Sequence, residues 1–221
     1  MSANLSTHGE TIRQPIGSRG EPASNNGNLE SGDNRAALEA GLKTVLHVGC
    51  GAPHPELLHA RFRTPEWKEL RLDIDPDCRP DIIASLTDMS AVPTASVDAV
   101  WSSHNVEHLF AHEVPIALAE FLRVLKPGGL AYVTLPDLQQ IAEFVVADRL
   151  DDVTYVSAAG PITALDCIFG FGAPIAEGNE FMAHKTGFTK TSLRRRLIEA
   201  GFQSVEVTVS PFNLWAEAIK G

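Results

Sequence analysis

The chain has 221 residues, enough for one domain and hardly for two. Its 28 acidic against 18 basic residues give a formal charge of −10, which repels phosphate backbones and anionic lipid, so neither nucleic acid nor a membrane surface is an expected partner. A hydrophobic share of 44% suits a real core, and no apolar run approaches the ~20 residues needed to cross a bilayer. The opening residues lack a basic start followed by an apolar block, and Cys50, Cys78 and Cys167 resemble no disulfide framework. A cytoplasmic location with reduced thiols is expected.

Residues 1–35 contain no Phe, Trp, Tyr or Val and are dense in Ser, Asn, Gly and Glu. Such a stretch cannot bury enough apolar area to offset its ordering entropy, so a disordered tail is predicted, followed by one domain over 36–221. Asp33 can cap a helix over Asn34 to Leu42, and Thr44 to Val48 then reads as a buried strand. A helical stretch near Pro55 to Arg63 leads to a second strand, Glu69 to Ile74, and Asp81 to Ala84 and Val97 to Trp101 are further short apolar runs. Val114, Leu118, Phe121, Leu122 and Leu125 fall at helical spacing, stopped by Lys126-Pro127-Gly128-Gly129 before a strand over Leu130 to Leu135. Asp137 with Gln140 reads as a capping box, and Thr189 caps a last helix ended by Gly201. Ser204 to Ser210 alternates as a strand, with a final strand over Trp215 to Lys220. Strands separated by helices predict a mostly parallel sheet covered on both faces.

The informative segment is Val45-Leu46-His47-Val48-Gly49-Cys50-Gly51. A strand ending in Gly-x-Gly lets backbone approach a ligand where a side chain would collide. The third glycine of the dinucleotide fingerprint is missing, since Ala52-Pro53-His54 follows. Asp73 lies about twenty residues on, the spacing of an acid that accepts from ribose hydroxyls. A short glycine turn with such an acid favours an adenosyl ligand over a dinucleotide. Cys50 has no nearby partner that would activate its thiol, and Arg194-Arg195-Arg196 reads as a solvated helix face.

With these residues the chain resembles the class I S-adenosylmethionine-dependent methyltransferases, of the type 11-like kind, over roughly Thr44 to Lys220. Besides Val45 to Gly51, Leu72-Asp73-Ile74-Asp75 is similar to the family's acidic second-strand end, Val97 to Leu109 to its fourth strand and following helix, and Leu122 to Gly129 to the turn before its fifth strand. The resemblance implies a Rossmann-like seven-stranded sheet, helices on both faces, and a C-terminal antiparallel strand pair. It implies S-adenosylmethionine as cofactor, with Gly49, Cys50 and Gly51 under its methionine part, Asp73 and Ile74 at the ribose, Ser85, Leu86 and Asp88 facing the adenine, and Ser102 near the sulfonium. His47 stands where the family usually carries an acid, and Ser85 where an acid often contacts adenine. His104 and His184 are the candidate bases for a hydroxyl acceptor, histidine being the usual base near neutral pH. Leu150 to Thr189, rich in Gly170, Gly172, Pro174 and Gly178, is expected to form a mobile lid that selects a small-molecule or glycan-type acceptor.

Two other readings compete. His104-Asn105-Val106-Glu107-His108 matches the H-x-x-E-H pattern of inverted zinc metallopeptidases, with His104 and His108 one helical turn apart, Glu107 as base, His112 extending the row and Glu177 or Glu180 as third ligand. A peptidase gives the glycine turn and Asp73 no role, so no metal site is predicted. A non-catalytic Rossmann-like binding module is the alternative that His47 and Ser85 favour.

Overall fold

The computed structural model describes residues 41–157 and 160–221. The tail expected at 1–35 lies outside the described residues, as does the helix expected over Asn34 to Leu42 apart from its last two positions. Strand β1 (Lys43–Val48) takes the buried run predicted for it and pairs in parallel register with β2 (Trp67–Asp73), which pairs with the short β3 (Ile82–Ile83). On its other side β1 pairs with β4 (Val97–Ser103). Helix α1 (Val114–Val124) buries Val114, Leu118 and Phe121 of the predicted stripe together with Ala117 and Val124; Leu122 is only partly buried, and Leu125 already belongs to β5 (Leu125–Pro136), into which the helix runs directly. Strand β5 starts before the predicted Leu130 because Leu125 already pairs with Val97, across an irregularity in register that absorbs the Pro-Gly-Gly turn.

Helix α2 (Leu138–Val146) follows, then the hairpin β6 (Val153–Ser157) and β7 (Gly160–Thr163), and the short helices α3 (Ala164–Phe169) and α4 (Gly172–Ala176). Helix α5 (Lys190–Glu199) begins at a capping box between Thr189 and Ser192, as its sequence start predicts. The antiparallel pair β8 (Ser204–Ser210) and β9 (Asn213–Ile219) completes a sheet of order β3-β2-β1-β4-β5-β9-β8. This is the Rossmann-like doubly wound sheet with a C-terminal antiparallel pair that the sequence predicts. Leu46, Val48, Val100, Val133, Phe121, Leu193 and Leu197 share the main core between the sheet, α1 and α5, each full burial contributing ~1.5–3 kcal/mol. No helix among the described residues is long and apolar enough to cross a membrane.

Two local expectations are corrected. Pro55 to Arg63 is not an α-helix; it is a run of turns ending in a 3-10 turn, Ala60–Phe62. So short a stretch is marginal as a helix, and its groups bond elsewhere: Trp101 Nε1 donates to Leu57 O at 2.9 Å, while Leu58 and Phe62 pack on Val45 and Trp101. Asp137 does cap α2, accepting from Gln139 N, but Gln140 does not close a capping box. Its amide donates to Asp137 Oδ2 and Ser210 O, because the Asp137 N–H is already bonded to Phe212 O.

Residues 150–189 build a small core of their own, in which Ile162, Ala164 and Cys167 pack with Ile141, Phe144, Tyr155, Phe171 and Phe212. The return of this segment is tied down by backbone bonds: His184 N donates to Phe169 O, and Lys185 N and Thr186 N both donate to Glu107 O. These bonds bring a distant stretch of sequence onto the end of β4.

Candidate active site

The carboxyl ends of β1, β2 and β4 converge on the glycine turn. Gly49 and Gly51 have φ of 60° and 62°, the left-handed region that costs an L-residue ~1–2 kcal/mol. A β-carbon on Gly49 would stand 2.0 Å from Asn105 Nδ2, so the backbone fits there only bare. Gly51 N donates to Asp73 Oδ2 at 2.8 Å and Asp75 N to Asp73 Oδ1 at 3.0 Å. Each oxygen of that buried carboxylate keeps acceptor capacity beyond its single bond. Arg71 fastens the turn from below, donating to Gly51 O at 2.5 Å and to Cys78 O at 3.2 Å. Cys50 N donates to Leu72 O, and burial pushes its thiol up to about 12, which leaves it an inert packing group.

Beside the turn, Ser102 pairs with Val48 across the strands and is fully buried. Its Oγ has no hydrogen-bond partner, nor have Asn105 Nδ2 and Thr134 Oγ1. Asn105 Nδ2 lies against Gly49 and Ser102 beside Val48, at the glycine turn, whereas the register that pairs Ser102 with Val133 puts the Thr134 side chain on the opposite face of the sheet. Leaving a buried polar atom unpaired costs ~1–3 kcal/mol, so Ser102 Oγ and Asn105 Nδ2 are two groups beside the glycine turn that a bound ligand could partner.

The loop after β3 is held beside Asp73 by Ala84 N, which donates to Asp73 O at 3.0 Å. Ile74 is 45% exposed while Leu86 is buried, which leaves Ile74 an apolar surface next to the acid. Ser85 Oγ is engaged with Thr87 Oγ1 at 2.8 Å. Hydrogen bonds from Ser90 hold the Asp88 carboxyl below the usual carboxylate range, and Asp88 lines a recess with Thr87, Glu120 and Arg123. His47 is buried and lies 2.6 Å from Glu69 Oε1, so an acid from β2 stands beside the histidine that replaces the family's own.

The H-x-x-E-H stretch does not form the predicted α-helix. His104 has φ 48°, a left-handed conformation, and only Val106–His108 is helical, as a 3-10 turn. The face that would carry two zinc-binding histidines in a metallopeptidase is therefore not made. Glu107 is instead 1% exposed and lies 3.3 Å from His104 Nδ1, an ion-pair distance outside hydrogen-bond geometry. Burial opposes its charge, yet the imidazoles of His104, His108 and His184 hold its carboxyl below the usual range. His184 comes from the 150–189 segment, donates through Nδ1 to Cys167 O at 3.0 Å, and meets His108 edge to face at 4.8 Å. Burial lowers its pKa from 6.5 despite the nearby Glu107 carboxylate, which favours the neutral, proton-accepting ring.

The structure thus brings Gly49, Cys50, Gly51, Asp73 and Ser102 together, and sets His104 and His184 on two sides of Glu107. Ser85 is bonded to Thr87, and Asp88 accepts from Ser90 through Oδ1. Asn105 and Arg71 are contributors that their residue types do not announce, and His184 would be paired with Glu107 by no spacing rule.

Residues 46–133 match the family of the methyltransferase domain. The matched stretch spans β1 to β5, the part of the chain that carries the glycine turn and Asp73. No curated protein matches the chain in sequence. Among solved structures, the chain is similar to a SAM-dependent methyltransferase from Archaeoglobus fulgidus (15% identity, 86% of this chain and 92% of that one, TM-score 0.54). It is also similar to an S-adenosylmethionine-dependent methyltransferase from Mesorhizobium loti (18% identity, 88% and 100%, TM-score 0.52) and to an O-methyltransferase family protein from Burkholderia thailandensis (12% identity, 86% and 55%, TM-score 0.56). At these identities the likeness is one of fold. The residues fit S-adenosylmethionine: a bare glycine cradle, a carboxylate with acceptor capacity left, and the unpartnered Ser102 and Asn105 side chains beside them.

Proposed function

We propose that the chain is an S-adenosylmethionine-dependent methyltransferase that acts on a small-molecule or glycan-type acceptor, with 36–221 as one catalytic domain and 150–189 as the wall that selects the acceptor. In this reading Asp73 accepts from the ribose hydroxyls with Ile74 beside it, Gly49, Cys50 and Gly51 pass under the methionine part, the loop of Ser85, Leu86 and Asp88 faces the adenine, and Ser102 borders the sulfonium. The observation that carries it is the conjunction of the Gly51 to Asp73 bond with the unpartnered Ser102 and Asn105 side chains at the same turn.

The cofactor supplies a methyl group on a sulfonium, whose displacement disperses positive charge and is served chiefly by positioning. The chain's own part is to hold the acceptor in line and, for a hydroxyl acceptor, to take its proton. His104, 38% exposed at its side chain, is the accessible imidazole at the rim, and the Glu107 carboxylate 3.3 Å away steadies the charge it gains. His184 closes the same region from the 150–189 side.

A thermal-shift titration with S-adenosylhomocysteine tests the cofactor half: a hundredfold excess over its dissociation constant adds ~2.7 kcal/mol of stability. No shift in a well-folded preparation refutes the reading. For the acceptor half, radiolabelled methyl transfer into fractionated extracts identifies the product, and label found only in macromolecules would overturn a small acceptor.

A further inference from the structure

Glu107, His108 and His184 bring one carboxylate oxygen and two imidazole nitrogens within 4.8 Å of one another. We infer that these three side chains form a binding site for a divalent transition ion of the zinc kind. The site differs from the metallopeptidase pattern in that His184, far away in sequence, stands in for a ligand on the helix.

Glu107 is the first support. It is 1% exposed, and neither carboxylate oxygen has a hydrogen-bond partner. A buried carboxylate is stable only when paired or ligated. The second support is how the imidazoles are held. His184 Nδ1 is engaged with the Cys167 carbonyl at 3.0 Å, which fixes the ring and leaves Nε2 as its ligating atom. His108 lies between two carbonyls, Nδ1 at 3.1 Å from Ala183 O and Nε2 at 3.1 Å from His104 O. A neutral imidazole donates through one nitrogen only, so one of these contacts is unmade and that nitrogen can turn to an ion while the other keeps the tautomer. Backbone carbonyls behind both rings are the usual outer support of metal-binding histidines.

Two nitrogens and one oxygen suit zinc or cobalt, and tetrahedral coordination leaves a fourth position for water or an acceptor oxygen. Ligand atoms around such an ion stand ~3.3 Å apart, so loading draws the three groups, now within 4.8 Å of one another, closer by up to about 1.5 Å. The site is tied to the 150–189 segment by the bonds from Lys185 N and Thr186 N to Glu107 O, so a bound ion also fastens that segment to the end of β4. The inference rests on the methyltransferase reading only for the use of the fourth position, and not for the binding itself.

The test uses the full chain, stripped with chelator and dialysed against zinc chloride alone or cobalt chloride alone. About one ion per chain is expected, with visible d–d absorption for cobalt. Glu107→Gln, which keeps the shape of the side chain, and His184→Ala are each expected to weaken binding at least tenfold. Absence of saturable binding to the wild-type chain overturns the site, as does binding that both variants leave unchanged. Should Glu107→Gln fail to fold, His184→Ala and the wild-type stoichiometry decide alone. A thermal shift with S-adenosylhomocysteine on the same stripped preparation separates the two readings. A shift without metal binding removes the ion and keeps the methyltransferase site; metal binding without a shift does the reverse.

Discussion

The side chain of Asn105 occupies the space that a β-carbon on Gly49 would need. The strand-to-turn junction after β1 and the turn after β4 are thereby fitted to each other, and the fit leaves backbone exposed on the cofactor side. Gly49→Ala meets both this contact and the left-handed φ, and is expected to cost ~1–3 kcal/mol of stability. Combining it with Asn105→Ala relieves the contact but not the strain, so part of the loss returns. Denaturant melts of the two single variants and the double variant give the coupling; strict additivity removes Asn105 as the obstacle.

Asp73 organises the turn through Gly51 N and Asp75 N and offers its remaining acceptor capacity to the cofactor. Asp73→Ala is expected to weaken S-adenosylhomocysteine binding by ~1.5–3 kcal/mol, the range for hydrogen bonds to a charged group, which is about 10- to 100-fold in the dissociation constant by calorimetry. An unchanged constant takes Asp73 out of the site.

Deleting Ala173 to Glu180 removes α4 without cutting the bonds from 184–186 to Glu107 and Phe169. The shortened loop can close, since Gly170 and Ala183 already form a bridge. Turnover is expected to fall by more than cofactor affinity does. Equal loss of both argues against an acceptor wall.

Glu120 binds Arg123 Nε at 2.6 Å and also accepts from Met89 N, joining α1 to the loop before β4. The guanidinium bond holds the Glu120 carboxyl below its ordinary 4.5, against the opposing effect of burial. A depressed folded-state pKa means the contribution is fully present above the unfolded value and is lost as the pH falls through the folded one. Stability should therefore drop more steeply below pH 4.5 in the wild type than in Glu120→Gln, whose melt is lower at pH 7. Parallel pH profiles for the two proteins would refute the pairing.

Alkylation by iodoacetamide at pH 8 should pass over Cys50, which is 2% exposed and pushed up to about 12 by burial. Cys78 is the more accessible thiol, though its own value is pushed up to about 11 by burial and nearby carboxylates. Peptide mapping that finds Cys50 modified first shows an opening of the glycine turn.

The principal strands and the glycine turn were legible in the sequence because each rests on a local signal. Apolar runs set β1, β4 and β5, a 3.6-residue stripe set α1, and Gly-x-Gly followed by an acid set Gly49, Gly51 and Asp73. Tertiary contacts decided the rest. Trp101 took the Leu57 carbonyl that a helix would have used, so the first crossover became turns. His104 bent to a left-handed φ, so the H-x-x-E-H stretch lost its helical face, and backbone bonds to Glu107 O carried His184 to the buried carboxylate instead. Local patterns report what a residue's neighbours in sequence favour; which distant group satisfies a buried carbonyl or charge is settled only when the chain has packed.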